Sequence, residues 1–414
     1  MVNPYFLMVL LYLFVAVLAA LDASFASFSL VPWFQGIRWL RIHFITLGML
    51  TETLFGVLPV LVAARMAKPR PKIRWDIWGT LNVGLVVLLA GIPSINGTLI
   101  LTGGTLIFIA ATLLAFQLWQ MRSHEMRSHE MRTGIALIGG QSVKFYVSGL
   151  AYLLLGITIG TGLWLGWSGP LRIQVPLEVH IHANNWGFLS LVFAGLLVDV
   201  IPQLSGKPLA ELRTTKAIFW SMTLGALGLV IGPWLGGSLW FTVPGLVLHI
   251  SATVTLLVLT GRALAQSGQL RIAGGWHLLT AYIWILLPVL VAPLIILGVP
   301  GFPGAGIEAT APQALIYGWV LQFGYALIPY FAGRYLLGEG TSRLGGNWFS
   351  LVAVNLGGAL VWASIFILPW QNILHGTAYA LYAISMVPIA LYLVSMVQGK
   401  FVEIEHDTLV HAGD

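Results

Sequence analysis

The chain contains no cysteine. Disulfide frameworks, thiolate metal sites and cysteine-held iron–sulfur clusters are thereby excluded. Charge is nearly as scarce. Only 8% of the 414 residues are Asp, Glu, Lys or Arg, where a soluble domain carries about 25%. A water-soluble globular enzyme could not cover its surface with so few. Disorder is excluded too, because 58% of the residues are apolar and 17 Trp, 12 Tyr and 20 Phe await burial. The net charge of +6 does not indicate nucleic acid, since in a membrane protein basic residues first report topology. With a mean hydropathy of +0.90, the composition is that of an all-α, polytopic membrane protein whose main partner is lipid.

Apolar stretches long enough to cross a hydrocarbon core as helices occur twelve times. They cover residues 4–21, 37–63, 77–94, 98–120, 141–165, 177–203, 215–235, 241–264, 275–297, 311–336, 347–367 and 373–397. The first has no basic stretch ahead of it and is read as a retained helix, not a signal peptide. With the N-terminus cytoplasmic, seventeen of the 20 Lys and Arg fall on inner loops and ends, leaving Arg38, Arg41 and Arg172 outside. This bias predicts a cell inner (plasma) membrane protein with both termini cytoplasmic. The inner loop 121–132 holds Ser-His-Glu-Met-Arg twice in tandem. Its His124 and His129 are read as part of a solvated extension of the fourth helix. The tail at 401–414, with Glu403, Glu405, Asp407, His406 and His411, is read as a solvated end.

Three of the segments resemble one another. The second reads His43-Phe-Ile-Thr-Leu-Gly48 and later reaches Gly56 and Pro59. The sixth reads His182-Ala-Asn-Asn-Trp-Gly187, then Gly195 and Pro202. The tenth reads Gln313-Ala-Leu-Ile-Tyr-Gly318, then Gly324 and Pro329. Because these segments are four apart in order, the chain divides into three four-helix units, 1–135, 136–270 and 271–400, within a single transmembrane domain. The eighth and twelfth segments, which close the last two units, carry Leu248-His249 and Leu374-His375 near their outer ends.

Even-numbered segments begin on the outer side, so His43, His180, His182, His249 and His375 lie about 5–15 Å inside the outer interface at 1.5 Å per residue. An intramembrane imidazole is a functional candidate by default. Neutral imidazole is also a usual ligand for haem iron and for copper. The alternative for each is a hydrogen bond to a neighbouring helix. His180 and His182, about 200° apart on a regular helix, cannot face one site, and His180 is the one expected to face elsewhere. His277, beside Trp276, is expected at the interface. Glu52 lies about 13 Å deeper than His43. It is either a protonated acid bonded to Thr51 or a neighbouring helix, or a proton relay. Asp199 is expected to snorkel inward or to mark a proton entrance, and Glu178 to orient an imidazole or a cation.

These residues resemble subunit I of the haem–copper oxidases, nearest to the C-type oxidases and the related nitric oxide reductases. That family has twelve helices in three four-helix arcs. His43, in Arg41-Ile-His-Phe, matches the helix 2 ligand of the low-spin haem. His182-Ala-Asn-Asn-Trp-Gly-Phe-Leu-Ser, running on to Ile201-Pro202, is similar to the helix 6 segment that supplies a copper ligand. Two signature places differ. The helix 7 stretch Gly232-Pro-Trp234-Leu235 has no histidine, and the helix 10 positions are filled by Ala311 and Gln313. A complete binuclear centre is therefore not expected. The resemblance implies a respiratory redox protein or one handling nitric oxide or oxygen, with haem b, and with partner redox subunits or cytochrome c. His43 with His375 is the first expectation for a haem site, and His182 with His249 the second, for copper. Two other functions remain open: a transporter using Glu52, for which Gly91-Ile-Pro93 and Gly232-Pro233 would serve as helix breaks, and a catalytically silent structural subunit of a membrane complex.

Overall fold

The computed structural model describes residues 3–30, 38–66, 68–126, 141–337 and 343–412. Most of the tandem loop, with His129, Arg127 and Arg132, lies outside these residues. Among the described residues the secondary structure is helical, without strands. Among the described residues, eleven helices are long and apolar enough to cross a membrane: α1 (Pro4–Ser27), α2 (Trp39–Arg65), α4 (Gly97–Met121), α5 (Gln141–Leu165), α6 (Pro176–Ser205), α7 (Leu212–Trp234), α8 (Leu239–Gln266), α9 (Ala273–Ile296), α10 (Gly304–Arg334), α11 (Trp348–Phe366) and α12 (Leu368–Gly399). Between α2 and α4 lies a shorter apolar helix, α3 (Trp75–Gly91). The chain is thus built as a multi-pass membrane protein. In lipid every backbone polar group must be satisfied within the protein, which helices do by themselves.

Local chemistry sets the ends of these helices. Asn3 caps α1, its side chain accepting from the Tyr5 N–H at 3.0 Å, with Pro4 in the first turn. Asn347 caps α11 in the same way through the Ser350 N–H at 2.8 Å. Gly206, at φ +70°, ends α6 in the left-handed conformation that glycine adopts freely.

Contacts group the helices into two compact units. Unit 1 comprises Met1–Val57 and Gln269–Asp414, and unit 2 comprises Leu58–Gly268. Within unit 1, α1 packs on α12, α11 on α12, and α9 on α10. Within unit 2, α3 packs on α4, α4 on α5, α5 on α6, and α7 on α8. Three helices are far more buried than the rest. The apolar window of α10 is 100% buried, that of α2 83% and that of α6 78%, against 28–56% for the other spans. The outward faces of the others carry large apolar residues such as Trp240, Leu290 and Leu391, as contact with lipid requires.

α2, α6 and α10 share a construction. Each opens into a π-helical stretch, Phe44–Leu50, Ala183–Leu189 and Ile316–Leu321 respectively. Each stretch contains the glycine aligned in the sequence, and an aromatic ring from the preceding odd-numbered helix lies against it. A Cβ on Gly48 would stand 2.5 Å from the Tyr12 ring, one on Gly187 2.3 Å from that of Tyr152, and one on Gly318 2.4 Å from that of Trp284. A π turn displaces carbonyls from their usual partners. In α2 and α6 a hydroxyl takes up the slack: Thr51 donates to Thr46 O at 2.8 Å and Ser190 to Asn185 O at 2.9 Å. The last two helices of each sequence unit also meet through glycine, with Gly103 against Leu88, Gly225 against Gly245 and Gly357 against Tyr382.

Candidate functional site

Three histidines of unit 2, His180, His182 and His249, each reach a backbone carbonyl on a neighbouring helix. His180 Nδ1 lies 2.9 Å from Gly156 O on α5, and Asn184 donates to His180 O at 2.9 Å. His182 Nδ1 lies 2.6 Å from Leu229 O on α7. The two rings, close in sequence, are thus divided between different neighbours of α6. On α8, His249 is buried. Its Nε2 lies 3.0 Å from Trp186 O, its Nδ1 3.3 Å from the Thr253 hydroxyl, and its ring edge-on to Trp186 at 5.2 Å. With Nε2 donating and Nδ1 accepting, both ring nitrogens of His249 are engaged within the protein. His182 keeps Nε2 for another partner, and Glu178 Oε2 stands 3.6 Å away, one turn earlier on the same helix.

The packing role of His249 makes a prediction. His249→Ala removes the link between α8 and α6, and interhelical hydrogen bonds in membranes are worth about 0.6–1.7 kcal/mol. The thermal midpoint in detergent should fall, while any visible absorption of the protein stays unchanged. Loss of colour in that variant would contradict this assignment.

In unit 1, His43 closes the first helical turns of α2. Its Nδ1 lies 2.7 Å from Trp39 O, and its ring stacks on the Trp39 indole at 3.9 Å with 17° between the planes. With Nδ1 as the donor, Nε2 is the nitrogen that carries the lone pair. His375, on α12, packs edge-on to Tyr379 at 5.1 Å. The same Tyr379 ring takes the Arg41 guanidinium at 5.4 Å and lies edge-on to Tyr317 of α10 at 5.6 Å. α2, α10 and α12 therefore meet around Tyr379. Gln313, at the place aligned with His43, is buried in α10.

The two acids occupy different surroundings. Glu52 is fully buried in unit 1. It lines a cavity of about 10 Å³ with Tyr5, Thr53 and Phe331, room for about one water. Thr51 directs its hydroxyl to Thr46 instead of donating to this acid. Asp199 does not snorkel. It is 2% exposed and forms an ion pair with Arg65 Nε at 3.1 Å. Tyr146 donates to its Oδ2 at 2.6 Å and Ser142 adds a further hydrogen bond. Arg65 also donates to the Asp199 carbonyl. The acid thereby ties α2, α5 and α6 together inside unit 2.

His277, in the first turns of α9, is buried within the protein, edge-on to Tyr325 at 5.5 Å and with Gly346 close against its ring. Sequence reasoning missed Tyr146 and Arg65 as partners of Asp199. No spacing rule joins residues 53 or 134 apart, and only an unpaired intramembrane acid signalled that such partners were needed. It also missed Arg343, which lines a large pocket in unit 1. Among the described residues, no three of His, Cys, Asp and Glu converge closely enough to hold a metal ion. A scan against protein-family models finds none that matches this chain, and a search of curated proteins finds no match.

Proposed function

We propose that the chain is a twelve-helix membrane protein of the oxidase subunit I type that binds one haem b through His43 and relays electrons. In this reading there is no haem–copper binuclear centre. The observation that carries it is the setting of His43. Metal-ligating histidines almost always anchor their other ring nitrogen on a carbonyl or carboxylate, which fixes the tautomer and aims the ligating atom. The Trp39 carbonyl at 2.7 Å and the Trp39 stack do both. His375 is the proposed second axial ligand, since Arg41 of α2 and His375 of α12 share the Tyr379 ring. Arg41 would serve as the cation for a haem carboxylate. Bound haem would supply a one-electron couple.

The donor set argues against copper. At the place where the oxidases have paired copper histidines, the Pro233 and Trp234 carbonyls accept from the Val175 and Gln174 N–H groups. His249, the alternative partner for His182, has both ring nitrogens engaged. Support for the twelve-helix, three-unit plan comes from the π turn, glycine and aromatic ring recurring in α2, α6 and α10. The bias of basic residues supports cytoplasmic termini in the inner membrane, with a partner redox subunit or cytochrome c as the electron source.

A second reading, a structural subunit without redox chemistry, is favoured by His180, His182 and His249, each of which reaches a backbone carbonyl across helices. A reduced-minus-oxidised spectrum of the purified full chain separates the two. The expected result is one haem per chain, with its signal lost in His43→Ala and kept in His249→Ala. A colourless wild-type protein that takes up no haem on reconstitution would overturn the first reading in favour of the second.

A further inference from the structure

We propose that the segment 68–74, which joins α2 to α3 within unit 2, is an electrostatic dock for anionic lipid headgroups, independently of any haem. It reads Lys-Pro-Arg-Pro-Lys-Ile-Arg, four cations in seven residues. Clusters of about four to eight Lys and Arg beside the end of a membrane helix suit an anionic lipid surface. Here α2 ends at Arg65 and α3 begins at Trp75, so the cations stand against the ends of two apolar helices. The charged residues that follow Met121 along the chain do not reverse the sign, since Arg122, Arg127 and Arg132 outnumber Glu125 and Glu130.

Two prolines set the shape of the segment. Pro69 and Pro71 interrupt helix and hold the residues before them extended, and residues 68–74 are not helical. Exposure then alternates: Arg70, Lys72 and Arg74 are exposed, while Pro71 and Ile73 between them are half-buried. Lys68 ties down one end by donating to Met121 O on α4. At the other end the Arg74 Nε donates to Asp76 Oδ1 at 2.8 Å. Arg70 and Lys72 lie between these two ties, and a preformed segment lowers the ordering cost of binding. Setting topology would need the charge but not the prolines that fix it. Two indoles identify the partner as lipid. Trp75, the first residue of α3, is 54% exposed, and Trp119, near the Met121 end of α4, is 52% exposed. Exposed Trp settles at the headgroup level of a bilayer, which places the adjoining cations at the depth of lipid phosphates. RNA would gain nothing from that depth.

The test uses the delipidated full chain in detergent, with bound lipid counted by native mass spectrometry. One cation near an anionic surface contributes about fivefold to binding. Arg70 and Lys72 together should therefore favour phosphatidylglycerol over phosphatidylcholine by about thirtyfold. The double variant Arg70→Gln with Lys72→Gln should lose that preference. Arg70→Lys should keep it, because the attraction is to charge. Arg172→Gln, which removes an exposed charge from the opposite end of unit 2, should keep it too. Equal binding of the two lipids by the wild type, or an undiminished preference in the double variant, would overturn the proposal. Displacement of the lipid by single-stranded RNA would also overturn it, and would assign the segment to nucleic acid.

Discussion

Asp199→Ala should destabilise the protein by about 3–5 kcal/mol, the usual cost of removing one partner from a buried ion pair. The acid is 2% exposed and accepts from Tyr146 at 2.6 Å as well as facing Arg65 at 3.1 Å. Truncation leaves the Tyr146 phenol without its acceptor and the Arg65 guanidinium without its counter-charge, holding only the residue 199 carbonyl, in a layer where water cannot easily replace the carboxylate. The Arg65 side chain is 24% exposed, so partial hydration should place the loss nearer the lower figure. Asp199→Asn keeps the shape and an acceptor oxygen while removing the charge, and should fall between wild type and Ala. Unfolding in mixed detergent with denaturing surfactant gives the measurement. An Ala variant as stable as wild type would mean that the pair contributes nothing net.

Gly318→Val should be the most damaging change of size. Its Cβ would lie 2.4 Å from the Trp284 indole, at the ring atom nearest the backbone, where the side chain has least freedom to yield. The indole cannot retreat, because its far edge lies against Gly358 of α11, where a Cβ would meet it at 2.5 Å. Its Nε1 also donates to Asn355 Oδ1 at 2.9 Å. Overpacking of this kind costs about 1–3 kcal/mol, occasionally more. Combining Gly318→Val with Trp284→Phe should recover part of the loss, since a smaller ring frees the space. If the double variant is no better than the sum of the two singles, the indole is not what confines Gly318.

Much of the fold could be read along the chain. Helix boundaries followed apolar length and caps: Asn3 with Pro4, Pro176, and Asn347 each stand where a helix begins. The first helix runs to Ser27, beyond residue 21, because Asp22 and Ser24 are buried within the protein and a hydropathy reading stops at polar residues. The alignment of Gly48, Gly187 and Gly318 was visible, but its reason was not. Tyr12, Tyr152 and Trp284 lie 36, 35 and 34 residues before their glycines, and nothing local announces which ring meets which backbone.

The candidate site was legible only in part. Intramembrane histidines stand out by type, so His43, His180, His182, His249 and His375 were all in view. Their roles depend on what each ring nitrogen meets. That His249 bridges to Trp186 O while His43 anchors on its own helix at Trp39 O follows from helix packing, which a period of 3.6 residues does not encode.

The sequence alone determined that this chain lives in lipid and crosses it many times as helices, because scarce charge and long apolar runs leave no other way to satisfy the backbone. Tertiary structure alone decided what each polar residue inside meets, as in the joining of Asp199 to Arg65 and Tyr146. A hydrogen-bonding group shows its chemistry in its name but its availability only in its neighbours, and those come from residues far away along the chain.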